Sequence, residues 1–171
     1  MRRFKLLTTL FAASSLLAVA AASVPAGQAD ASGPPWGPET PPFNLEVILR
    51  DVAGGHGFGL VRFRQPNDGD KIIYLDTWVR DLAPTHAYQL QRAVDTSLDG
   101  NCTSTAWLTL GKGLTQQPIT TDERGTAREF LFRSVAALAT GAQFDIHFQL
   151  VDAGTGIPVL ASGCYRFTVS Q

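Results

Sequence analysis

The stretch Asn67-Asp68-Gly69-Asp70-Lys71-Ile72-Ile73-Tyr74-Leu75-Asp76-Thr77-Trp78-Val79-Arg80 decides the fold class. Its first four residues are a strong tight-turn signal, since Asn, Asp and Gly tolerate the left-handed backbone that short turns demand. Beyond the turn, Ile73, Leu75, Thr77 and Val79 alternate with Tyr74, Asp76, Trp78 and Arg80. A period of two puts these sets on opposite faces of one strand, so one face goes to a core and the other to solvent.

The same pattern extends in both directions. Leu45, Val47 and Leu49 share one face of an earlier strand, Gly54-Gly55-His56-Gly57 breaks the chain, and Val61 and Phe63 then sit opposite Arg62 and Arg64. Further strands are expected near 86–94, 105–110, 126–133, 143–151 and 158–169. Phe144-Ile146-Phe148-Leu150 and Val159-Ala161-Gly163-Tyr165-Phe167-Val169 keep strict alternation in the last two. Val135-Ala136-Ala137-Leu138 has room for one short helical turn. About eight short strands with frequent Gly and Asp turns predict an all-β, antiparallel β-sandwich, with a partly open barrel as the alternative.

The 171 residues are 44% hydrophobic and 17% charged, with a formal net charge of −1. That is ordinary for one soluble domain and excludes a basic nucleic-acid binder, because no excess of Lys and Arg exists to neutralise phosphates. Met1-Arg2-Arg3-Phe4-Lys5 gives a basic start, the apolar core runs from about Leu6 to Ala22, and Gly27 and Ala29 are small residues suited to a signal peptidase. Residues 1–29 are therefore expected to be a cleaved secretory signal peptide. Residues 30–42, with five prolines in thirteen positions, read as an extended Pro-rich leader. Residues 43–171 make up the folded domain. The chain after residue 29 holds 11 basic and 15 acidic residues and no other apolar stretch of membrane-spanning length. A secreted, extracellular protein is the expectation. In an oxidising compartment its two cysteines, Cys102 and Cys164, are expected to pair.

Asp81-Leu82-Ala83-Pro84-Thr85-His86-Ala87-Tyr88-Gln89-Leu90 resembles the corner segment of fibronectin type III and related immunoglobulin-like modules. Thr121-Asp122-Glu123-Arg124-Gly125-Thr126-Ala127 and Leu138-Ala139-Thr140-Gly141-Ala142-Gln143-Phe144-Asp145-Ile146 are similar to pieces of secreted bacterial sandwich modules. The resemblance implies an immunoglobulin-like architecture and a structural corner made by Leu82, Pro84 and Tyr88, whose hydroxyl bonds back to the turn backbone. It implies no catalytic residue. Fibronectin type III has two strands after its proline turn, whereas here about 80 residues and several strands remain.

Motifs for chemistry are sparse. His56, His86 and His147 are isolated, and neither His-x-His spacing nor a His-Glu-x-x-His helix occurs. There is no Gly-x-Ser-x-Gly elbow, and the glycine run 54–59 lacks the Gly-Lys-Ser/Thr ending of a phosphate loop. Glu46, Asp76, Glu129 and Asp145 fall in strands, where a carboxylate pair facing a groove would be needed for glycoside hydrolysis. Asp95, Ser97 and Asp99 put oxygens at alternate positions ahead of Gly100, like the opening of a calcium loop. The bidentate Glu expected at the loop's end falls on Ala106, so an ordinary Asp/Ser/Gly turn is favoured over weak calcium binding, and no other cofactor is expected. Trp78 and Trp107 are placed in the core, with a sugar-stacking face as the alternative. The expected function is a secreted, non-catalytic module with a binding or structural role toward an extracellular ligand, glycan or protein. The alternatives are a carbohydrate-binding module using exposed aromatics and a small secreted hydrolase.

Overall fold

The quoted alternation becomes strand β3 (Ile72–Arg80), whose odd-numbered side chains from Ile73 to Val79 are buried while the even-numbered ones reach the surface. The computed structural model describes residues 44–171; the expected signal peptide of 1–29, the leader of 30–42 and Phe43 lie outside them. Ahead of β3 come β1 (Asn44–Asp51) and β2 (Phe58–Arg64), joined by the glycine-rich hairpin, and β4 (Ala87–Asp95) follows it. Four two-residue strands come next: β5 (Leu108–Thr109), β6 (Gly111–Lys112), β7 (Thr115–Gln116) and β8 (Ile119–Thr120). The chain ends with β9 (Ala127–Ser134), β10 (Gln143–Asp152), β11 (Pro158–Ser162) and β12 (Tyr165–Thr168). The fold is all-β, with no helix among the described residues; Val135 to Leu138 form a single hydrogen-bonded turn.

One register runs through the ladder β1-β2-β3-β9: Val47 faces Val61, Val61 faces Thr77, and Thr77 faces Glu129. On the other edge of β1 lie β11, then β10, then β4. The segment between β4 and β9 ties these two ends together. Leu108 and Thr109 pair with Arg92 and Gln91, and the Leu110 N–H donates to the Leu90 carbonyl at 2.8 Å. Lys112 then lies parallel to β9 opposite Phe132, and Ile119 and Thr120 return to Tyr88 and Ala87 of β4. A Cβ on Gly111 would stand 1.8 Å from the Thr115 carbonyl oxygen, so only glycine permits the tight β6–β7 hairpin within this bridge. The twelve strands form one mixed sheet that nearly closes on itself, where the alternation implied about eight antiparallel strands. The extra strands are too short to show a period, and the parallel step exists because the bridge must run beside β9 to cover its edge.

The last strand expected from the sequence, 158–169, is two. Leu150 faces Leu160 but Ile146 faces Tyr165, so one extra residue is absorbed around Gly163. A slip of one residue exchanges the faces of a strand. Leu160 therefore points inward from β11, and Phe167 from β12. The Ser162 hydroxyl accepts the Phe148 N–H at 2.9 Å and satisfies the donor that the slip leaves over. Inside, Phe63 meets the edges of Phe148 and Phe167 with ring centroids 6.0 and 4.7 Å apart. Leu49, Leu75, Leu90, Leu131, Leu150 and Leu160 fill the remainder of the core, each under 2% exposed.

The corner ahead of β4 locks against the turn ahead of β9. The Ala83 N–H donates to the Tyr88 hydroxyl at 3.1 Å, and the Tyr88 ring is 3% exposed. Thr121 Oγ1 donates to the Ala83 carbonyl at 2.6 Å and accepts the His86 N–H at 3.0 Å. The Leu82 N–H reaches the Gly125 carbonyl at 3.2 Å, where a Cβ on Gly125 would lie 2.1 Å from Leu82 O. Asp81 and Thr85 bracket the corner with φ of 57° and 49°, a left-handed conformation costly for residues with a side chain. Tyr88→Phe removes the acceptor for the Ala83 N–H, and urea unfolding is expected to show a loss of about 1 kcal/mol; an unchanged midpoint would contradict that role.

Candidate functional site

Leu45 to Leu49 of β1, Gly59 to Phe63 of β2, Ile73 to Val79 of β3 and Leu131 of β9 bury their odd positions, so the even positions of these strands form the outer face. Register sets them in rows. Arg64, Tyr74 and Phe132 form one row; Glu46, Arg62, Asp76 and Phe130 the next; Ile48, Leu60, Trp78 and Arg128 the third; and Arg50, Phe58 and Arg80 the last. Neighbours in a row and on its diagonals lie within reach of one another. Tyr74 and Phe130 stack with ring centroids 5.8 Å apart at 26°. Phe130 is 52% exposed, and with Tyr74 it gives this face a continuous aromatic surface. The two rings form a ridge between shallow hollows of about 360 Å³, bounded by Arg62, Arg64, Pro66 and Asp76, and about 430 Å³, bounded by Ile72, Lys112 and Phe132.

Farther along β3, Phe58 meets Trp78 edge-on at 6.0 Å, and the guanidinium groups of Arg50 and Arg80 lie 5.3 and 4.9 Å from the Phe58 ring centre. Cations already occupy this pair, whereas the Tyr74–Phe130 ridge has no cation over it among the described residues. Trp78 thus corrects the expectation of a core tryptophan. Its even position puts it outside with Asp76 and Arg80, and parity overrides size. Trp107 is also half-buried outside the core, tilted on His147 with ring centroids 4.6 Å apart.

The four strand carboxylates each face a cation. Glu46 meets Arg62 at 3.4 Å, Glu129 meets Lys112 at 2.9 Å, and Asp76 takes Arg128 in a two-pronged grip at 2.8 and 2.6 Å. The Arg128 hydrogen bond, opposed by partial burial and aided by the charges of Arg128 and Arg62, holds the Asp76 carboxyl below its usual range. Asp145 is wholly buried on β10, not turned to a groove. It accepts Arg166 Nε at 3.0 Å and the Gly100 N–H at 2.7 Å, while Arg166 Nη2 donates to the Leu98 carbonyl at 2.6 Å. Burial alone would raise this carboxyl, but the bonds from Arg166 and Gly100 outweigh it and hold the group below the usual range.

The Cys102–Cys164 disulfide, with Cα atoms 5.3 Å apart, fastens the same loop two residues on. Within that loop, Asp95 accepts the Ser104 N–H at 3.1 Å and Asp99 accepts the Asn101 N–H at 2.9 Å, while Ser97 lies exposed. The two carboxylates of the calcium candidate thus serve the loop's own backbone. Among the described residues no three His, Cys, Asp or Glu side chains are grouped to hold a metal. The histidines stand apart: His56 in the β1–β2 turn, His86 against Asp152, and His147 Nε2 on the Ser104 carbonyl at 3.0 Å. No protein-family model matches the chain, and no curated protein sequence does.

The outer-face aromatics Tyr74, Phe130 and Phe132 were not singled out by the sequence. Tyr74 carried the signal, as an aromatic member, with Trp78, of a polar-facing set; the apolar run Phe130-Leu131-Phe132 concealed the parity of its strand.

Asp145→Ala leaves the Gly100 N–H and Arg166 Nε without their acceptor, and is expected to lower stability by about 2–3 kcal/mol. Because the folded carboxyl is held below its unfolded value, its contribution is full above about pH 4 and drains away as the pH falls further. Urea midpoints between neutral and acid pH are therefore expected to converge for wild type and variant; a constant gap would contradict the pairing.

Proposed function

We propose that this chain is an exported, non-catalytic binding module, and that its contact surface is the outer face of β2, β3 and β9, on which a glycan stacks. The carrying observation is the Tyr74–Phe130 ridge, a half-buried tyrosine stacked on an exposed phenylalanine on the sheet between two shallow hollows. Flat aromatic faces match the C–H faces of sugar rings, and a platform built on strands holds its geometry better than one built on loops. Against a hydrolase stands the pairing of Glu46, Asp76, Glu129 and Asp145 with cations, where hydrolysis needs two carboxylates free to act across one cleft.

Export is part of the proposal. The basic, apolar and small-residue order of residues 1–29 supports it, and the Cys102–Cys164 bridge is of the kind that persists in oxidising compartments. No helix among the described residues is long and apolar enough to cross a membrane. The buried Tyr88 corner likewise supports kinship with immunoglobulin-like modules, whose hallmark it is.

Phe130→Ala is expected to weaken glycan binding by roughly 30-fold, the cost of truncating a central aromatic anchor. Its exposed position predicts an unfolding midpoint close to wild type. Isothermal titration over a panel of soluble polysaccharides checks this; undiminished binding by the variant would remove the ridge from the site.

A further inference from the structure

We propose that the ligand of this face is an acidic polysaccharide, its carboxylate or sulfate groups held by Arg64 and Arg62 while a sugar ring rests on Tyr74 and Phe130. This rests on the reading of the face as a glycan platform and adds the charge of the ligand. The outer rows of β1, β2, β3 and β9 carry five arginines against two carboxylates, Glu46 and Asp76, on a chain whose net charge is −1. Cationic character is therefore concentrated on the face that carries the aromatic ridge.

The pairing of those charges decides which arginines are open to a ligand. Asp76 lines the 360 Å³ hollow, but Arg128 grips both of its oxygens from the β9 side and answers its charge. Glu46 lies 3.4 Å from Arg62 Nε, and Arg62 keeps 62% of its side chain exposed. Arg64, in the row of Tyr74, has no carboxylate within ion-pair distance among the described residues. The hollow thus joins one guanidinium without a carboxylate partner, one loosely held guanidinium, a carboxylate already gripped by Arg128, and two rings. A guanidinium offers a planar fork of donors that fits carboxylate or sulfate oxygens in pairs, and it binds them in a geometry that an ammonium cannot reproduce. A neutral sugar would use the rings and leave Arg64 unanswered.

The test uses the disulfide-bonded protein in titrations at physiological salt against four probes. These are polygalacturonate, dextran sulfate, neutral dextran and a single-stranded oligothymidylate. At least one acidic polysaccharide is expected to bind about tenfold or more tighter than neutral dextran, and Arg64→Ala to erase about that factor. Phe130→Ala is expected to weaken the acidic polymer as well, which separates a ring-and-guanidinium site from simple ion exchange. The preferred acidic probe identifies the oxyanion as carboxylate or sulfate. Neutral dextran bound as tightly as both acidic polymers overturns the charge assignment and leaves the platform standing. Acidic polymers bound with no loss in Phe130→Ala, or oligothymidylate bound as tightly as either, also overturn it. If none of the polysaccharides binds, the platform itself falls.

Discussion

A sheet that curls toward closure leaves two edges, and unpaired edges recruit other chains. In this protein the edges belong to β4 and β9, and residues 107–121 are the strip that pairs with both. Its short strands bond Arg92, Gln91, Tyr88 and Ala87 on one side and Phe132 on the other. Leu110 and Ile119 plug the gap from within, 3% and 0% exposed. With that strip in place the interior is sealed, and the odd positions of β1, β2, β3 and β9 have one place to go. The outer face is the necessary complement of that sealing.

The two sides of the molecule are finished differently. Across β4, β10 and β12 the outer surface is covered by the loop 95–104, fastened by Asp145, Arg166 and the disulfide, so that even the outward Asp145 is buried. Across β2, β3 and β9 no described segment lies over the rings. Had that face been solvated in the usual way, its even positions would carry Lys, Thr and Glu in place of Tyr74, Trp78, Phe130 and Phe132. The arginines beside those rings keep the exposed apolar area in small, interrupted pieces.

Much of this was open to reading from the chain. Parity in β3 placed Ile73, Leu75, Thr77 and Val79 inside, and Asp81 to Tyr88 announced a corner through residues that act on each other within a few positions. What stayed hidden was non-local. Two-residue strands have no period to detect, so the bridge across 107–121 read as one strand and a gap. The apparent alternation from Val159 to Val169 ran straight through a bulge, because Gly163 and the small residues around it fit either face. Trp78 was sent to the core by its size although its neighbours already declared the opposite parity. Phe130 could not be oriented at all inside a run of three apolar residues, until the ladder with β3 fixed which of them faces out.

The pairing of β1 with β11 sets the order in which the molecule can be made. Leu49 lies against Ser162 and Asp51 against Leu160, so the opening strand waits for one more than a hundred positions downstream. A chain emerging in the direction of its synthesis can assemble β1, β2 and β3 as a meander, but it then carries a naked strand edge until nearly the whole domain is available. Contacts so distant in sequence must overcome a large loop-closure entropy before they add stability, which makes such barrels slow to form and exposed to wrong partners while incomplete. A polypeptide built this way gains little from folding piecemeal and closes only once its last strands are available, all at once.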